Sequence, residues 1–272
     1  MNTTLRTTTY EVVRPHVAKI MMNRPGVRNA QDHQLTYDLN ACFDQAAQDN
    51  DIKVVLLGGE GPHFSAGHDL SAPSQPEHPP VGTWGLSDEE GVHRRYSLEQ
   101  EVYLGLCRRW RDMPKPTIAM VQGKCIAGGL ALAWVCDLIV ASDDAAFIDP
   151  VVGMGVCGIE YFAHPYELGV RKAKELLFTA DWWSAEEAHR LGMVNHVVPR
   201  AELETFALAM ACKIAEKPAL ALKLAKQAVN TARNNMGERA TMDTSFALHH
   251  LCHDRLAELG AGVPTGEIVR LR

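Results

Sequence analysis

The sequence predicts an α/β fold in which ββα units stack on one another and a helical segment follows them. Two observations predict it. Short apolar runs, each ended by glycine or proline, recur up to Glu160 with helical stretches between them; beyond Glu160 the spacing is almost wholly helical. With 272 residues, 46% apolar and 22% charged, the chain can bury a sizeable core. The expected division is a ββα core over residues 1–200 and a helical C-terminal segment over 201–272.

Taken in order, Val17 to Asn23 reads as a strand stopped by Arg24, Pro25 and Gly26. Leu35, Leu39, Cys42, Phe43 and Ala46 then recur at helical spacing behind Asp32, a helix-capping type, so a helix is expected to Gln48. Val54 to Leu57 is a buried strand and His63 to Ala66 a short one, whereas the proline- and glycine-rich stretch 71–91 reads as a surface excursion. Val92 to Arg111 has helical spacing, and Pro116 to Gln122 is strand again. A helix from Gly128 to Val135, strands at Asp137 to Ala141 and Ala145 to Ile148, and helices from Glu160 onward complete the pattern, with strand Val194 to Val198 among them. The last two helices, from Pro218 and from Glu238, read as an appendage.

Composition excludes several classes. A net charge of −6 without long runs of either sign leaves no footprint for nucleic acid. No apolar run approaches the ~18 residues of a membrane span, and the first nine residues hold no signal-like core, so a cytoplasmic protein is expected. The seven cysteines are scattered, without a CxxC pair, and read as buried reduced thiols.

Two segments carry candidate chemistry. In HFSAGHDL (His63 to Leu70), a turn at Gly67 leaves the His68 N–H outside any ladder. In GKCIAGGLAL (Gly123 to Leu132), Gly128 and Gly129 open a helix, where free N–H groups meet the positive end of the dipole. Two such donors converging are what a thioester carbonyl needs as it gains enolate charge. Either alone is commonly a matter of tight packing.

Together with VAKIMMNRPGVRNA, PTIAMVQGKCIAGGLALAWVCDLIVASDDAAFIDP and ELLFTADWWSAEEAHRLGMVNHVV, in this order, these segments resemble the enoyl-CoA hydratase/isomerase (crotonase) family over nearly the whole chain. The resemblance implies a crotonase-like spiral core, an acyl-CoA thioester as partner, and backbone oxyanion donors at His68 and Gly128. It further implies a coenzyme A cleft lined by Ala66, His68, Asp69, Leu70 and Ser71, with Arg28 either facing the nucleotide phosphates or lying on the surface. A homotrimer or dimer of trimers, joined through the C-terminal helices, is implied as well. Coenzyme A belongs to the substrate, and no cofactor or metal is expected.

The departures bear on the reaction. Where hydratases of this family carry their two glutamates, this chain has Ala131 and Val151, so neither position can supply an acid or a base. Three replacements are candidates: Glu160, whose apolar neighbours would raise its pKa if it is buried; Asp149, which precedes Pro150 and equally suits a turn; and the imidazole of His68. Glu160 equally suits an exposed helix start. A non-catalytic or weakly catalytic acyl-CoA-binding protein is the alternative. His249 and His253 share a helical face and are metal-capable in type, yet the pattern fixes no third ligand. Gly153 to Gly158 formally matches GxGxxG but follows no suitable first strand for a dinucleotide site.

Overall fold

The computed structural model describes residues 2–71, 80–82 and 91–260. Most of the 71–91 excursion, and residues 261–272 of the C-terminal segment, therefore lie outside the described residues. The chain runs through β1 (Thr3–Thr4), β2 (Thr8–Arg14), β3 (Val17–Met22), α1 (His33–Gln48) and β4 (Val54–Gly59). After the excursion come α2 (Val92–Glu99), a π-helical segment (Gln100–Gly105) and α3 (Leu106–Arg111). Next are β5 (Thr117–Val121), β6 (Lys124–Ile126), α4 (Gly128–Trp134), β7 (Leu138–Ser142) and β8 (Ala146–Ile148). The remainder is α5 (His164–Leu168), α6 (Val170–Thr179), β9 (Trp183–Ser184), α7 (Ala185–Arg190), β10 (His196–Val198), α8 (Leu203–Ala215), α9 (Ala219–Asn235) and α10 (Glu238–Glu258).

The strands form two sheets, one ordered β1-β2-β3-β4-β5-β7-β10 and the other β6-β8-β9. From β3 to β10 the large sheet is parallel, and β1 and β2 extend it as antiparallel edge strands. From β5 to β8 consecutive strands alternate between the sheets: β5 is followed by β6, and β7 by β8, which pairs in parallel with β6. That alternation is the stacked ββα spiral expected from the sequence.

Every residue of β4 is buried, because the large sheet is covered on both faces. Val54 and Leu56 pack with Ala207 and Ala211 of α8 on one side. Val55 and Leu57 belong on the other to the main core, with Leu39 and Phe43 of α1 and Trp110 of α3. The alanines on α8 permit its close approach to the sheet. By contrast, α9 has no buried residue.

The short strand expected at His63 to Ala66 is not formed; only isolated bridges join Ser65 to Cys125 and His68 to Gln31. Two further differences from the sequence reading have local causes. Strand β2, paired between β1 and β3, is absent from the sequence reading, since its mixed TTYEVVR pattern is half-buried and weakly alternating. The helix expected from Glu160 begins only at His164; Pro165 suits its first turn, and residues 160–163 are irregular. Glu160 is thus not a helix-start acid.

Candidate functional site

The segment after Phe64 is drawn between two neighbours. Phe64 N–H donates to Gln122 O at 2.8 Å, and Ile126 N–H to Ser65 O at 3.0 Å, which fastens it to the β6 strand. Beyond the turn at Gly67 (φ +79°), Gln31 N–H donates to Gly67 O at 2.8 Å and Asp69 N–H to Gln31 O at 2.9 Å. In a parallel bridge of this kind the intervening residue, His68, directs its own N–H away from Gln31.

Gly128 opens α4 beside this turn, where first-turn N–H groups have no acceptor inside the helix. Ala127, just before it, is held at φ 45° and ψ −114°, a strained conformation for alanine, with its own N–H spent on Ile148 O at 2.9 Å. The two segments touch so closely that a Cβ on Gly67 would lie 2.6 Å from Ile126 O and 3.1 Å from Gly128 N. A Cβ on Gly128 would lie 2.7 Å from the His68 ring. Glycine is required at both places.

A cavity of about 200 Å³ adjoins this junction. One side carries Ala66, His68, Asp69 and Leu70; another carries Val151 and Met154 from the turn after β8. Its polar wall consists of Glu99, Tyr103, Glu160, His249 and His253. The His68 ring stacks on Tyr103, with centroids 3.7 Å apart, and brings Nδ1 to 3.6 Å from Glu160 Oε1. Ala131 lies just behind, facing a void of about 10 Å³ shared with His68, Tyr103 and Glu160.

Charges on the polar wall are interdependent. Burial pushes the Glu160 carboxyl up, but the nearby His68 and His249 rings outweigh it and hold the group below the usual carboxylate range. This corrects the expectation of a raised pKa: Glu160 is buried, but among imidazoles and not only apolar side chains. Burial, reinforced by the charge of Glu160, raises Glu99. Burial pulls His249 down, yet its contacts with Glu99 and Glu160, at 3.3 and 3.7 Å, carry it up to about 9. His253 is pushed down to about 4 by burial and by the adjacent His249.

Asp149 does not join the cavity wall, contrary to its candidacy as an acid or base. It is 2% exposed; Oδ2 is 2.8 Å from His164 Nε2 and accepts from Ile159 N–H, while Oδ1 accepts from Val151 N–H. These contacts tie it to the turn that carries Glu160. Ser71 is exposed and donates its hydroxyl to Asp69 Oδ1 at 2.6 Å. Arg28 is half-buried, in the left-handed region at φ 56°, and its backbone accepts from Ala66 N–H; it sits behind the cavity-lining segment and not on the cavity.

Sequence reasoning missed Glu99 and Tyr103, which the π-helical segment and its preceding turn aim at the cavity. An inserted residue of helix is a recurrent feature of functional sites, but nothing local in the sequence marks it. His249 and His253 were recognised as one helical face, though not as part of this site. The Gly153 to Gly158 turn binds no helix start: it leads into the irregular stretch at Glu160.

Comparison with known proteins agrees with this architecture. A Mycobacterium tuberculosis protein provisionally named an enoyl-CoA hydratase is 43% identical over 256 residues, which are 90% of this chain and 80% of the relative. The short-chain-enoyl-CoA hydratase of Clostridium acetobutylicum is 32% identical over 85% of this chain and 82% of its own length. The crystal structure of a probable enoyl-CoA hydratase from Mycobacterium smegmatis superposes with a TM-score of 0.85 at 43% identity, covering 93% of this chain and 97% of the other. Since the family model described as enoyl-CoA hydratase/isomerase also matches residues 13–258, the chain belongs to the enoyl-CoA hydratase/isomerase family.

Proposed function

We propose that the cavity binds an acyl-CoA thioester and that the protein is an enzyme acting on it through an enolate. The carrying observation is the contact between the Gly67–His68 turn and the start of α4, which supports two backbone N–H groups aimed at one thioester oxygen. Glu160 is the proton-transferring residue. Its carboxylate takes a proton from the α-carbon, so that an O–H bond forms as the C–H bond breaks; the electron pair moves to the thioester oxygen, where the two N–H groups hold it. His68 positions this carboxylate through its ring, and the chemistry draws on no redox cofactor.

With Ala131 and Val151 at the usual glutamate positions, ordinary hydration loses its acid and base. Isomerisation, hydration or dehydration by other groups, and hydrolysis are the reactions a panel of enoyl-CoA and other acyl-CoA substrates separates. Glu160→Gln should lower turnover by roughly 10²–10⁴-fold, with acyl-CoA affinity kept. Undiminished turnover would remove Glu160 from its role and leave the class standing. The same two replacements favour a second reading, a binding protein without catalysis, which acyl-CoA binding without turnover on the whole panel would establish.

A further inference from the structure

Three groups able to ligate a metal converge on the polar wall: the Glu99 carboxyl from the end of α2, and the Nε2 atoms of His249 and His253, one turn apart on α10, with His249 giving up its Nε2 proton as an ion binds. Their ligand-type atoms all lie within 4.8 Å of one another. His249 Nε2 is 3.0 Å from His253 Nε2 and 3.3 Å from Glu99 Oε2. Ligands placed about 2.0–2.1 Å from a tetrahedral zinc ion are themselves about 3.3 Å apart, so the spacings of His249 to His253 and to Glu99 suit a shared ion.

The other face of His249 strengthens the case. Its Nδ1 lies 2.8 Å from Gly158 O, a contact in which Nδ1–H donates to the carbonyl. Such a bond directs the Nε2 lone pair inward and is the usual support of a metal-ligating histidine. A proton on Nε2 would serve Glu99 or His253 at a time, whereas a cation serves both. Glu99 Oε2 is buried and has no hydrogen-bond donor among the described residues, although the His249 and His250 rings stand 3.3 Å away.

We propose that Glu99, His249 and His253 form a binding site for a divalent transition-metal ion of the zinc class, with two imidazoles and one carboxylate as ligands and the remaining position open to the cavity. Glu160 does not complete the triad; its Oε1 is 3.7 Å from His249 Nε2, at the edge of that open position. The ion fastens α10 to α2, where Arg95 Nη2 and Asp254 Oδ1 already pair at 2.5 Å. The sequence alone left this undecided because its third ligand comes from a distant helix. The proposal rests on cavity geometry and is independent of the thioester reading.

The test uses the full chain stripped with a chelator and titrated with Zn²⁺ alone, without acyl-CoA. One ion per chain is expected, with affinity at least 10-fold weaker in Glu99→Gln and in His253→Gln and unchanged in the thiol control Cys252→Ser. Absence of binding at about 100 μM Zn²⁺, or binding indifferent to both variants, overturns the proposal. Should either variant fold poorly, zinc-edge X-ray absorption of the loaded wild-type chain decides: nitrogen and oxygen ligands support the site, and sulfur ligands overturn it. Acyl-CoA affinity of the stripped chain, measured separately, reports on the thioester reading, so the two can fail independently.

Discussion

Gly128 matters at the scale of single residues because of what it lacks. Its N–H is offered at the start of α4, and any Cβ there would press on the His68 ring at 2.7 Å, which in turn stacks on Tyr103. Gly128→Ala should therefore displace the ring and spoil the oxyanion geometry together. Loss of one such donor is worth roughly 10²–10³-fold in kcat, and that is the expected loss on any turned-over acyl-CoA, with the far-ultraviolet circular dichroism spectrum retained. An unchanged kcat would mean that this N–H does not hold the developing charge. The same close contact explains why Gly67 and Gly128 stand out in the sequence: a glycine demanded by space leaves a local mark. The sequence also singles out Glu160, but not its ionisation, which His68 and His249 set from other parts of the chain.

The secondary-structure elements around the site were legible where their signals were local. Asp32 caps α1, accepting from Leu35 N–H at 2.8 Å, and the apolar spacing behind it defines the buried face of that helix. Glu99 and Tyr103 were illegible because a π-helical segment shifts the face of an otherwise ordinary helix. Between elements, Asp69 ties the cavity-lining segment to the turn after β3: it pairs with Arg24 Nη2 at 3.0 Å and accepts from the Ser71 hydroxyl and backbone N–H. Burial pushes its pKa up, but these bonds outweigh it and hold the folded carboxyl below its ordinary value. A carboxyl depressed by folding stabilises the protein above its unfolded pKa, and that contribution is lost as pH falls through the folded pKa. Asp69→Asn should accordingly lower Tm near neutral pH, and the gap to wild type should close in acid below the usual carboxylate range. Equal gaps at pH 7 and pH 3 would show that the charge of Asp69 is not what secures the turn.

For the whole molecule, the apolar side chains left in water are informative by their location. On α9, which buries none of its residues, Leu220 is 66% and Leu224 51% exposed, one helical turn apart; on α10, Leu248 and Leu251 are also exposed. Isolated exposed leucines are ordinary, but pairs at helical spacing on each of the two C-terminal helices suit burial against another copy. On this ground we propose assembly into a trimer or a dimer of trimers, as the family resemblance implies. Light scattering of the purified chain should give three or six times the chain mass. Leu220→Lys with Leu224→Lys should shift it toward the monomer, since charges at exposed positions burden an interface and not the fold of one chain. A monomeric wild-type protein would count against the assembly. An oligomer indifferent to the double substitution would move the contact away from α9.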